Sequence, residues 1–65
     1  MISVISKDGF RRARVGEDAH GVFINYYRDD WRFVRQARPA LPFHAALDLA
    51  DQIINCAPPV VGGRL

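Results

Sequence analysis

Cysteine is nearly missing from this 65-residue chain, and its one copy, Cys56, excludes an internal disulfide framework. Small secreted domains usually lean on several bridges, so a lone cysteine points to a reducing, cytoplasmic setting. Long apolar runs are missing as well. The longest spans three residues, as in Val22-Phe23-Ile24, far short of a membrane span. The opening stretch, Met1 to Asp8, has no basic region leading into an apolar core, so no signal peptide is expected. Two histidines and one cysteine cannot furnish a zinc-ligand set, and the glycines lack phosphate-loop spacing; no metal and no cofactor are expected. Lysine occurs once among nine basic residues, the rest being arginine.

What is present describes one small globular domain. The chain is 49% hydrophobic and 25% charged with a net charge of +2, which argues against disorder. At 7.3 kDa it buries only roughly 60% of the surface that its unfolded form exposes, so its stability margin is thin. Charge is uneven. Residues 1–41 carry eight basic groups against five acidic ones, whereas residues 42–65 carry Arg64 against Asp48 and Asp51. The surplus is too mild to establish a nucleic-acid partner by itself.

Glycine and paired acidic residues punctuate the first forty positions, as in strands joined by turns. Ile2 to Ser6, Phe10 to Val15, Val22 to Arg28 and Trp31 to Ala37 read as strands. Asp8-Gly9, Gly16 to Gly21 and Asp29-Asp30 read as the connections between them. Phe43, Ala46, Leu47, Ala50, Ile53, Ile54 and Ala57 then recur at helical spacing, after Pro42 and ahead of Pro58-Pro59. The expected fold is α+β: an antiparallel three- to four-stranded β-meander with one C-terminal helix packed on one face. Residues 1–57 would form the domain and residues 58–65 a Pro- and Gly-containing tail.

Turn positions predict which side of the sheet the helix covers. Asp8-Gly9 sets Val4 opposite Ala13; a Gly16-to-Gly21 loop sets Val15 opposite Val22; Asp29-Asp30 sets Tyr26 opposite Phe33. The core side then holds Ile2, Val4, Ala13, Val15, Val22, Ile24, Tyr26, Trp31, Phe33 and Ala37. The other side carries Arg12, Arg14, Phe23, Tyr27, Arg32, Val34 and Arg38, together with Phe10, Asn25 and Gln36. Arg32 is expected directly opposite Tyr27, within reach of a guanidinium–ring contact.

No catalytic constellation assembles from these residues. His44 and Asp48 stand at i,i+4 on the helix, an ordinary surface pair. Cys56 near a helix C-terminus reads as a packing residue, not a nucleophile. Glu17-Asp18 and Asp29-Asp30 fall in turns at opposite ends of one strand and cannot converge on one substrate. The sequence points to a non-catalytic binding module whose uncovered Arg and aromatic face engages another protein or a second copy. A nucleic-acid partner for the same face is the alternative, with arginines on phosphates and Phe23 and Tyr27 stacking on bases. A small enzyme subunit completed by a partner chain ranks third. A third possibility for the face itself is cover by Val60, Val61 and Leu65 of the tail.

The arrangement over residues 9–57 is similar in topology to three-stranded-sheet-plus-helix DNA readers. Plant AP2 domains and the arm-binding domains of tyrosine recombinases are examples, and Trp31 ahead of an Ala-rich helix (Ala45, Ala46, Ala50) is the local echo. The resemblance implies a sheet entering the major groove with the helix behind it. It transfers no functional residue, because no diagnostic motif matches.

Overall fold

A computed structural model describes residues 1–56, arranged as four strands and a helix. The strands are β1 (Ile2–Ile5), β2 (Arg11–Asp18), β3 (Gly21–Arg28) and β4 (Phe33–Ala37), and the helix is α1 (Phe43–Asn55). They form one antiparallel sheet in the order β1-β2-β3-β4, a meander with α1 across one face. The α+β fold expected from the sequence is therefore the fold observed. The tail from residue 58, and any cover it gives the sheet, lies outside the described residues.

Each connection is built from local hydrogen bonds. At the first, the Gly9 N–H donates to the Ser6 carbonyl with Gly9 at φ 79°, a left-handed conformation that glycine adopts without steric cost. The Asp8 carboxylate accepts from the Ser6 hydroxyl at 2.6 Å and from the Phe10 N–H at 2.9 Å. Val4 faces Ala13 and Ile2 faces Val15, the register that Asp8-Gly9 predicts.

The second connection is tighter than expected. Asp18 pairs with Gly21 around Ala19-His20, so Val15 faces Ile24 in place of Val22. The shift is two residues. Strand side chains alternate with period two, so every residue of β2 and β3 keeps its expected face.

The third connection is one residue longer than expected. The Trp31 N–H donates to the Arg28 carbonyl, and the Arg28 N–H donates to the Arg32 carbonyl, leaving a three-residue loop, Asp29-Asp30-Trp31. A turn closed by a residue in the left-handed region is the usual three-residue hairpin, and here Trp31 supplies that residue at φ 64°. The odd shift turns Phe33 to the side of Tyr27, its register partner. A β-bulge between Tyr26 and Tyr27 then absorbs Val34 as an extra residue, and Arg35 faces Tyr26. Gln36 and Ala37 return to their expected sides, so two single-residue irregularities cancel.

Helix packing follows from small residues. Ala13, Ala46 and Ala50 are fully buried, letting α1 approach the sheet closely, with Val15, Ile24, Tyr26 and Ile54 filling the remaining core. Val4, Val22, Ala37, Phe43, Leu47 and Leu49 close its margin. The helix starts after Pro42, whose carbonyl accepts the Ala46 N–H, with no side-chain cap. It ends at Asn55, two residues before the expected Ala57, with the Cys56 N–H on the Gln52 carbonyl. Pro58 and Pro59 lack the N–H groups that would extend the ladder. Asn55 also accepts the Lys7 N–H at 2.8 Å, tying the helix end to the first connection. The helix contacts β1, β2 and β3 but not β4.

Candidate functional site

The face opposite the helix is a grid set by the strand registers. One row across the sheet reads Ile5, Arg12, Tyr27, Phe33; the next reads Ser3, Arg14, Asn25, Gln36. A third begins at Gly16 and Phe23. The middle row is locked by the Gln36 amide, which donates to Asn25 Oδ1 at 2.8 Å. The first row thus sets Ile5 and Arg12 beside two aromatic rings, and the second is polar throughout.

Trp31 changes the character of this face. Sequence parity assigned it, with Phe33, to the core; the three-residue loop instead folds its ring onto the open side. Its centroid lies 4.2 Å from the Arg14 guanidinium carbon and 4.9 Å from that of Arg12. Arg14 also lies 5.3 Å from the Tyr27 ring. Tyr27 receives Trp31 edge-on at 5.4 Å and Phe33 edge-on at 6.0 Å. Such edge contacts suit the ring quadrupole, and guanidinium groups favour the ring faces. Phe33 remains 56% exposed at the end of the cluster.

Among the described residues, neither Arg12 nor Arg14 has a carboxylate within salt-bridge distance. Arg12 Nε is buried with no hydrogen-bond acceptor. Among the described residues, the positive charge at the centre of the face is therefore flanked by aromatic rings and by no carboxylate. Arg32 takes no part in it. Rather than lying opposite Tyr27, its N–H donates to Asp30 Oδ1 at 3.0 Å and its Nε stands 3.9 Å from Asp30 Oδ2. These contacts hold the Asp30 carboxyl below its usual range, the Arg32 N–H contributing most.

Phe23 and Arg38 form a separate, closed unit. Phe23 is only 8% exposed because its ring lies over Gly16, where an added Cβ would stand 2.6 Å from Phe23 Cζ. Arg38 lies 5.5 Å from the same ring and forks onto Asp18 at 2.8 and 3.0 Å. That bidentate bond, with the His20 N–H on the same carboxylate, lowers the Asp18 pKa to about 2. Phe23 is thus largely shielded by its own strand neighbours, whereas Arg38 stays exposed with its guanidinium engaged by Asp18.

Val34 is on the other side of the sheet. The bulge turns it toward the helix, where it lines a shallow groove with Tyr26, Arg35, Ile53 and Ile54. Of the seven positions expected on one binding face, the structure brings together Arg12, Arg14 and Tyr27, and Trp31 and Phe33 join them. Nothing local in the sequence distinguishes Trp31: asparagine and glycine are the residues that normally signal a left-handed loop position.

The remaining chemistry-bearing side chains stay apart. His20 and Glu17 border an open hollow of about 580 Å³ beside the Arg38–Phe43 linker, where Arg38 is already committed to Asp18. Cys56 is exposed at the helix end. Among the described residues, no three His, Cys, Asp or Glu side chains cluster as metal ligands, and no helix is long and apolar enough to cross a membrane. No protein-family model matches the chain, and no curated protein or solved structure matches it either.

Proposed function

We propose that this chain is a non-catalytic, cofactor-free binding module that docks on a protein surface, a second copy or another protein, through the open sheet face. The observation carrying the reading is Trp31, held at φ 64° with its ring over Arg12 and Arg14. A left-handed non-glycine residue costs roughly 1–2 kcal/mol, and such strain concentrates at binding sites. Trp, Tyr and Arg are also the residues that dominate interface energetics. Ile5 and Phe33 extend the patch at either end of its central row. The lone cysteine supports a reducing, cytoplasmic setting for the module.

Sedimentation of Tyr27→Asp against the native chain tests self-association. A charge in the middle of the aromatic row should shift the profile toward monomer while the chain stays folded. A monomeric native chain, or an unchanged profile, removes the second copy and leaves a different protein as the partner.

A nucleic-acid role is the second reading, favoured by the absence of carboxylate partners for Arg12 and Arg14 among the described residues. With Arg38 forked onto Asp18 and Arg32 outside the ring cluster, Arg12 and Arg14 offer two phosphate contacts, giving a log–log salt slope of about −2 on duplex DNA. Asp29 and Asp30 beside Trp31 oppose a phosphate backbone, which ranks this reading below protein docking.

A further inference from the structure

The helix-side groove beneath β4 is a second surface, independent of the open face. Because α1 covers β1 to β3 only, Val34 stays 55% exposed and Ile53 38% exposed on either side of a cleft of about 250 Å³. Its floor is apolar, from Tyr26, Val34, Ile53 and Ile54. Its rim is cationic. Arg11 and Arg35 line it, and Arg28 stands directly opposite Arg11 on the same side of the sheet. Asp8 stands 3.9 Å from Arg11 and the charge of Arg28 acts on Asp30, whereas Arg35 has no salt-bridge partner among the described residues and leaves the rim with an unanswered positive charge.

We infer that this groove binds an acidic peptide segment of a partner protein, with an aliphatic side chain on Val34 and Ile53 and a neighbouring carboxylate on Arg35. Charge complementarity selects the sign, and the floor selects the class. Aliphatic Val34, Ile53 and Ile54 offer no ring for a base to stack on. The one aromatic ring present, Tyr26, already has the Arg35 guanidinium 4.8 Å from its centroid. A lone inorganic anion would leave the apolar floor uncovered.

The probe is an acetylated, amidated pentapeptide of alternating acidic and aliphatic residues, titrated into the full chain and followed by amide NMR. Saturable shifts are expected at Val34, Arg35, Ile53 and Ile54. Arg35→Gln should weaken binding about tenfold or more, the scale of one charge-assisted hydrogen bond. The same peptide with its acids replaced by amides should weaken similarly, and thermal melts confirm that the variant is folded. Four results overturn the inference: no shifts at millimolar peptide; shifts confined to Arg14, Tyr27 and Trp31; equal binding by the amide peptide; or stronger shifts of the groove with an oligothymidylate. Concentration-dependent groove shifts in peptide-free protein would assign the groove to a second copy and overturn it as well.

Discussion

Replacing Trp31 separates backbone strain from ring contacts, because two substitutions remove the same ring and differ only in φ tolerance. Trp31→Ala loses the contacts with Tyr27, Arg12 and Arg14 but keeps a Cβ at φ 64°. Trp31→Gly loses the same contacts and also relieves the left-handed strain, roughly 1–2 kcal/mol for an L-residue. Glycine forfeits about 0.5–1 kcal/mol through the greater freedom of its unfolded chain. At the middle of these ranges Gly is more stable than Ala by about 0.75 kcal/mol, or roughly 3–6 °C in Tm for a domain of this size. At an ordinary strand or helix position the order is reversed, so the sign alone decides. Paired thermal melts by circular dichroism, both variants in one buffer, provide the measurement. An alanine variant that melts at or above the glycine variant would refute the left-handed placement of Trp31. The loop would then be the two-residue turn, with Phe33 returned to the core side.

Two further expectations concern the Phe23 unit. Gly16→Ala places a Cβ 2.6 Å from Phe23 Cζ, and the ring must tilt out of its buried seat. Overpacking of this kind costs about 1–3 kcal/mol, read from a denaturant midpoint, and a midpoint equal to that of the native chain would show Phe23 to be mobile. For Asp18, the folded pKa of about 2 lies below its ordinary 3.8. A depressed carboxylate contributes stability that is present above about 3.8 and is lost as pH falls through about 2. Stability of the native chain should therefore decline over that window, and Asp18→Asn should flatten the decline. An acid limb unaltered in Asp18→Asn would mean that the Arg38 fork does not persist in solution.

Much of the architecture was legible in one dimension. The helical stripe from Phe43 to Ile54 lies against the sheet, with Ala46, Ala50 and Ile54 buried as the spacing implies and Ile53 left at the margin. Val4 opposite Ala13 followed from Asp8-Gly9. The displaced register between β2 and β3 left the faces unchanged, since an error of two residues is invisible to a period of two. One additional residue between β3 and β4 was not invisible. It turned Trp31 and Phe33 outward, and the bulge turned Val34 inward.

Element order, the helix stripe and the side taken by β1, β2, β3 and the end of β4 are all readable from the order of residues. Those features rest on hydrophobic periodicity and short-range turn chemistry, both of which act between near neighbours along the chain. The composition of the open sheet face was settled by tertiary contacts. Whether a tryptophan accepts a left-handed backbone depends on what its ring gains from Arg12, Arg14 and Tyr27, which β2 and β3 bring beside the loop. The closure of Phe23 likewise depends on the void above Gly16 across the strand. Contacts between residues distant in sequence set both energies, and local propensity has no access to them.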